Sequence, residues 1–458
     1  MLRLALPLVV AELGWMFMGV VDVLMVGHLP DSAIAIGAAS LGSIVYYSIT
    51  VFGGSLMMGL DTIVSQAYGG RRYADCHRGL WTALFLLIPL VPLAMGIVYL
   101  ASHSLEWFGV NPLVRPASES YMRILNMGAP GLFLYFAFRR YLQGISHVRI
   151  VTFALVSANL VNVAGNWALI YGHFGFSAMG TDGSAWATVV SRYYMAGVLI
   201  AYTLWIEHQE NHGVFDVAIR PDWARLKEML RLGGPAALHV GLEIMVFGLT
   251  TVLVARLAPE ILAAHQIALN LASITFMVPL GISAAAAVRV GHRIGAGDYT
   301  GAGHAGYVAI FLGATFMSCA ALAFVAAPEW LSRIYSPDPA VIRASVTLLA
   351  IAAVFQLFDG LQIVSAGALR GAGDTRTPML CNLFFYWVVG LPVGYALCFH
   401  YGYGAVGLWT GLCLALVLIG STLIMVWRRK VATFVSMEAS HASLRATADA
   451  DGGRSFRR

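Results

Sequence analysis

Residues 4–27 read LALPLVVAELGWMFMGVVDVLMVG, apolar throughout except for Glu12 and Asp22. A bilayer core about 30 Å thick is spanned by about 20 apolar residues in a helix. This stretch is therefore long enough to cross a membrane. Outward from it the same pattern returns at 34–60, 80–101, 121–141, 148–171, 184–206, 233–256, 261–287, 305–327, 340–366, 378–400 and 404–427, making twelve spans in all. Backbone N–H and C=O groups find no water in lipid, so runs of this length must be helices; a β-barrel shows alternating segments of about ten residues. The whole chain agrees: 59% of its 458 residues are hydrophobic and 11% charged, with mean hydropathy +0.76. Soluble domains carry roughly a quarter charged residues. The predicted fold is an all-α integral membrane protein of twelve transmembrane helices. Residues 1–27 are not a cleaved signal peptide, because the run is too long, carries two acids and lacks a small-residue cleavage site. A short cytoplasmic leader is expected ahead of Met1.

The basic residues set the orientation. Arg71, Arg72, Arg78, Arg139, Arg140, Arg149, Arg220, Arg225, Lys227, Arg231, Arg289, Arg293, Arg370 and Arg376 follow even-numbered spans, and Arg428, Arg429 and Lys430 follow the twelfth. Odd-numbered spans are followed only by Arg115, Arg123, Arg256, Arg333 and Arg343. The positive-inside rule then places both termini in the cytoplasm. The net charge of +5 is topological, and no aromatic-interleaved basic patch points to nucleic acid. The five cysteines have no metal-ligand spacing and read as packing residues.

The chain repeats itself. Leu2–Pro7 matches Leu230–Pro235, Val64–Gly69 falls opposite Val290–Gly295, Leu142–Gly144 opposite Leu369–Gly371, and Gly180 and Gly183 opposite Gly404 and Gly407. Six spans per half is an even number, so both halves start from the same side and form parallel repeats about a pseudo-twofold along the membrane normal. The expected division is an N-lobe at 1–210, a cytoplasmic linker at 211–232, a C-lobe at 233–430 and a tail at 431–458. The tail's polar composition reads as disordered. Two such lobes that rock against each other give alternating access.

Asp22, Glu243 and Asp359 fall in the first, seventh and tenth spans, and Glu12 and Asp61 also lie in apolar runs. A carboxylate near mid-bilayer costs about 2.5–3.5 kcal/mol. For Glu12 and Asp61 a structural hydrogen bond is the plainer reading. Neither Asp22 nor Glu243 has a Lys or Arg nearby within its own span, and at Asp22, Glu243 and Asp359 a proton, a Na⁺ or a cationic substrate is expected. Burial favours the neutral form of a carboxyl, while hard cations prefer oxygen ligands. Asn162 and Asn166, four apart on one helical face, and Thr188 in the sixth span offer such oxygens beside Asp22. The same amides also read as polar glue between helices. His265, Gln266 and Asn270 form a polar strip that reads first as structural hydrogen bonding. Among the basic residues, only Arg192 is placed away from a helix end.

Val21-Asp22-Val23-Leu24-Met25-Val26-Gly27 resembles the multidrug and toxic compound extrusion (MATE) family. So does Gly59-x-Asp61-Thr62-x-x-Ser65-Gln66-Ala67-x-Gly69. Ala263–Asn270, Arg289–Gly295, Gln356-x-x-Asp359-x-x-Gln362 and Ala368–Asp374 resemble its NorM-type branch, as do Tyr386-Trp387 and Gly390-Leu391-Pro392. The resemblance spans all twelve helices. It implies a multidrug efflux antiporter, with Na⁺ or H⁺ moving inward as organic cations move outward. It also implies that Asp22, Glu243 and Asp359 couple ion and substrate, with a Na⁺ site at Glu243 and Asp359 as one reading. Asn162, Asn166 and Thr188 fall near first-lobe coupling positions, and His265, Gln266 and Gln356 are secondary candidates. NorM-type proteins can carry a Tyr one turn before the tenth-span Asp; here that residue is Phe355.

Other classes fit less well. No HExxH, GxSxG or P-loop occurs, so neither an enzyme nor an ATP-driven pump is expected. The alternative is a lipid-linked precursor flippase of the same superfamily, whose anionic cargo calls for a basic cavity rather than buried acids. The expected protein needs no cofactor and works as a monomer in the bilayer of the cell inner membrane.

Overall fold

The computed structural model describes residues 1–107, 109–210 and 213–455, without the side chains of Glu210 and of residues 437–455. Every regular element among them is helical. They are α1 (Leu2–Val26), α2 (Ser32–Gly69), α3 (Tyr73–His103), α4 (Arg115–Met127), α5 (Ala129–Gly144), α6 (Val148–Tyr171) and α7 (Thr181–Glu210). There follow α8 (Trp223–Val254), α9 (Pro259–Gly295), α10 (Tyr299–Ala326), the short α11 (Pro328–Arg333), α12 (Pro339–Gly371), α13 (Arg376–His400) and α14 (Gly404–Ser455). Among the described residues, eleven helices are individually long and apolar enough to cross a membrane. The twelfth crossing is α4 and α5 together, interrupted at Gly128 (φ −83°, ψ −4°) just before Pro130. Proline has no amide hydrogen to give to the preceding turn. Each predicted span is therefore present.

The helices outrun the apolar runs that announced them. The second continues to Gly69 and the eighth to Gly295, because apolar length measures the hydrocarbon core and not the helix. The last helix likewise outruns its span, as α14 runs to Ser455. An existing helix propagates without paying for nucleation, and the Ala, Met, Glu, Leu and Arg of this stretch are good helix formers.

Contacts divide the chain into two compact units. The first holds Leu2–Val64 and Tyr73–Val252, the second Ser65–Arg72 and Leu253–Arg458 with Met1. The division falls one helix later than the 232/233 boundary read from the repeat. Glycines explain this. A Cβ on Gly233 of α8 would strike the Leu56 carbonyl of α2, and one on Gly59 would come within 2.7 Å of the Met229 carbonyl. That crossing fastens α8 to the first unit. Gly69 and Gly70 at the end of α2 lie against the His292 and Gly295 carbonyls of α9, and Gln66 Nε2 donates to Gly371 O at 3.0 Å. Those contacts bring Ser65–Arg72 into the second unit.

In the first unit α6 packs along both α1 and α7, while α5 lies against α3 and α7. In the second, α12 is central, packed by α9, α10 and α14. Small residues make this possible, as lipid gives no hydrophobic drive to helix association. Gly367 and Gly371 of α12 sit on Ser283 and Ala287 of α9, and Ser283 Oγ donates to Ile363 O at 2.8 Å. α13 widens into π-helical turns at Leu383–Gly390 and Ala396–His400, either side of Pro392. Its Gly390 and Gly394 meet Gly407 and Gly411 of α14 backbone to backbone.

A Cβ at Gly411 would collide with backbone atoms of Gly390 and Gly394, which cannot yield as a side chain can. Gly411→Leu is expected to destabilise the protein by at least about 2 kcal/mol through overpacking. Gly248→Ala, where nothing lies within 4 Å of a new Cβ, is expected to be neutral or stabilising. Thermal unfolding of the detergent-solubilised proteins checks both; an unchanged midpoint in Gly411→Leu contradicts the seam.

Candidate functional site

Asp22 lies in α1, Asn162 and Asn166 one turn apart on α6, and Thr188 in the second turn of α7. The packing of α6 between α1 and α7 brings them together, and all four are buried. Asn166 Nδ2 donates to Asp22 Oδ1 at 2.7 Å, and Thr188 Oγ1 donates to Asp22 Oδ2 at 2.8 Å. Asn166 Nδ2 also reaches Asn162 Oδ1 at 3.2 Å, and Asn162 Nδ2 reaches Thr188 Oγ1 at 3.4 Å. The result is a closed ring of hydrogen bonds around one carboxylate. Asn159 stands apart from it, donating to Gly14 O at 3.0 Å and tying α6 to α1.

Every direct hydrogen bond to Asp22 comes from a neutral group. The buried Arg192, one turn beyond Thr188, is turned to other partners. It donates to Leu125 O and Tyr47 Oη, each at 3.1 Å, and its guanidinium lies 4.6 Å from the centre of the Tyr46 ring. The ring around Asp22 thus concentrates carboxylate, amide and hydroxyl oxygens, and the Asn166 Oδ1 makes no hydrogen bond among the described residues. These are the ligand types a hard monovalent cation takes, and the carboxylate can equally hold a proton.

The other acids are placed differently. Glu12 forms a buried ion pair with Arg139, and Asp61 receives Arg140 at 3.1 Å. Both are structural pairs between helices. They correct the sequence reading of the basic residues, since Arg139 and Arg370 are buried as well as Arg192. Glu243 lies in α8, in the first unit, with Oε2 3.8 Å from Nε2 of His239 one turn earlier. Asp359 is buried in α12, in the second unit.

Around α12, Gln356 Nε2 donates to Thr275 Oγ1, and Gln362 Nε2 approaches Asn382 Oδ1 at 3.5 Å. His265 is fully buried and accepts from Trp409 Nε1 at 3.0 Å. An indole only donates, so Nδ1 of His265 carries no proton there. Gln266 is exposed, with Asn270 bonded to its carbonyl at 3.1 Å. Phe355 packs edge-on to Trp409 at 5.6 Å. Sequence reasoning missed the Arg192–tyrosine stack, the His239 neighbour and the Trp409 partner. Only His239, four residues from Glu243 on one helix, left a local signal.

Arg139→Gln strips the Glu12 carboxylate of its partner inside the membrane. It is expected to destabilise by about 3–5 kcal/mol, and Glu12→Gln in the same chain to recover much of this. Asp22→Asn keeps shape and burial and is expected to leave the unfolding midpoint nearly unchanged. Thermal unfolding in detergent measures all three; equal loss in Asp22→Asn and Arg139→Gln contradicts this division of roles.

Known proteins bear on the same chain. The MatE family model matches it twice, over residues 7–168 and 235–396, beginning at Pro7 and Pro235, the prolines that close the first pair of repeated segments. The chain is 38% identical over 434 residues to the multidrug resistance protein NorM of Burkholderia vietnamiensis, covering 93% of this chain and 92% of that protein. It is 35% identical over 444 residues to a probable multidrug resistance protein NorM of Mesorhizobium japonicum, covering 94% and 93%. Among solved structures, the eukaryotic MATE transporter AtDTX14 superposes with TM-score 0.82 at 21% identity, over 95% of this chain and 98% of that one. An outward-facing MATE family transporter superposes with TM-score 0.84 at 18% identity, over 94% and 95%. The chain belongs to the MatE family, in its NorM branch, and is a multi-pass membrane transporter and not an enzyme.

Proposed function

We propose that this protein is a multidrug efflux antiporter of the cell inner membrane, exporting small organic cations as Na⁺ or H⁺ moves inward. The observation that carries the reading is Asp22, a buried carboxylate closed in by amide and hydroxyl donors, with no cationic side chain among the described residues bonded directly to it. Such a charge is neutralised most cheaply by a cation that comes and goes, and an ion and a cationic substrate then compete for it. Relatives named as NorM multidrug resistance proteins support drug-like small molecules as the substrates. Glu243 and Asp359 are the other coupling acids in this reading. Alternating access follows from the duplicated halves, both termini face the cytoplasm by the positive-inside rule, and one chain suffices.

Proteoliposomes loaded with a cationic dye test this, with inward Na⁺ and H⁺ gradients imposed separately. Wild-type protein is expected to export dye under at least one gradient. Asp22→Asn, and Glu243→Gln with Asp359→Asn, are expected to fall to the rate of protein-free vesicles while remaining folded. Dye export at the wild-type rate in all variants would remove these acids from the mechanism. No response of wild type to either gradient would remove ion coupling.

A further inference from the structure

The segment joining α7 to α8 is fastened across the start of α3. Glu207 Oε1 accepts from Gly213 N and Val214 N, each at 3.1 Å. Trp81 Nε1 donates to Val214 O at 2.9 Å, and its ring meets Phe215 edge-on at 6.2 Å. Arg225 donates to Asp75 Oδ1 at 2.7 Å, while Asp222 accepts from Ala224 N and Arg225 N at 3.0 and 3.2 Å. Beneath this strap lies a cavity of about 250 Å³ lined by Arg78, Trp81, Thr82, Ala218, Arg220 and Asp222. None of the candidate coupling acids lines it.

Its free charge is positive. The backbone N–H of Arg225 at the α8 N-terminus holds the Asp222 carboxyl below its usual range, so its negative charge is answered by the helix end and by Arg225. Asp75 is engaged by Arg225, and Arg78 reaches it only at 3.4 Å. Arg220 makes no ion pair or side-chain hydrogen bond among the described residues. Arg78 gives one donor to Asp75 at 3.4 Å, so the two guanidinium forks keep donors that can turn to an anion, and such forks suit phosphate oxygens.

The surroundings are apolar. Phe215, Ile219 and Trp223 on the strap are 51%, 51% and 76% exposed. Two residues beyond Thr82, a second hollow of about 380 Å³ begins, lined by Leu84, Leu87, Ile88 and Val91 of α3 and Leu134 of α5. A basic pocket at the head of a membrane helix, with an apolar groove farther along the same helix, has the two-part chemistry of a lipid.

We propose that the cavity and groove hold one anionic phospholipid of the cytoplasmic leaflet, its phosphate between Arg78 and Arg220 and an acyl chain along α3. The assignment goes beyond the transport reading and rests only on the orientation that puts the start of α3 at the cytoplasmic face.

The test is native mass spectrometry of the full, delipidated protein titrated with dioleoylphosphatidylglycerol, dioleoylphosphatidylcholine or inorganic phosphate. Wild type is expected to hold one phosphatidylglycerol in preference to phosphatidylcholine. Arg78→Gln with Arg220→Gln is expected to weaken it roughly thirty-fold, about fivefold per arginine, and the two lysine replacements to keep most of it. Ile88→Trp fills the groove without touching the charges and is expected to weaken binding too, which covers failure of the arginine variant to fold. Equal retention of the two lipids, or unchanged binding in both the arginine and Ile88 variants, overturns the proposal. Displacement of phosphatidylglycerol by millimolar inorganic phosphate makes the site one for soluble phosphate and overturns the lipid assignment. Because binding and not export is read, failure here leaves the antiport reading standing.

Discussion

Inside a bilayer no water answers a polar group, so each one is satisfied within the protein or left with work to do. The backbone obeys by becoming helix throughout. Mid-helix hydroxyls obey by bonding back one turn, as Thr50 does to Tyr46 O, Thr203 to Leu199 O and Thr250 to Val246 O. Helix contacts obey through glycine, which lets backbones close on one another where apolar side chains gain nothing over lipid. The Gly59–Gly233 crossing and the Gly390–Gly411 seam are two results of the same constraint.

Carboxylates show it most clearly, because the protein handles them in different ways. Glu12 and Asp61 receive arginines from α5, Arg139 and Arg140, adjacent in sequence. Those pairs have no spare charge and read as braces between helices. Asp22 receives two neutral donors on its two oxygens, and each donor is held in turn by Asn162. That arrangement fixes the geometry of the carboxylate without cancelling its charge. The difference between a brace and a site is the partner's charge and not the depth of burial, which is similar for Glu12 and Asp22.

The second unit is organised around α12, whose face carries Gln356, Asp359 and Gln362 at steps of three, all buried. Two neighbours close part of that surface with aromatic contacts. Trp409 of α14 packs on Phe355 and gives its indole hydrogen to His265 of α9. The hydroxyl that a tyrosine at position 355 would supply is thus replaced by ring packing. His265 is held as a hydrogen-bond acceptor that ties α9 to α14.

Much of this was legible in the chain alone. Hydropathy marked out the twelve crossings, and the internal repeat marked out two halves. The spacing of Asn162 and Asn166 placed both on one face because the helical period is local knowledge. Asp22 stood out because an acid in an apolar run is anomalous whatever surrounds it. Only the tertiary structure decided which acids had partners. Glu12 and Arg139 lie 127 residues apart, and each reads as an isolated charge until α1 and α5 are placed in one unit. The same is true of the arginine cavity under the 213–222 strap, and of the compact units dividing after α8 begins and not before. Sequence carries composition and period along one axis. Partnership depends on which helical faces are turned toward each other, and that rotation is set by small-residue contacts summed over many helices.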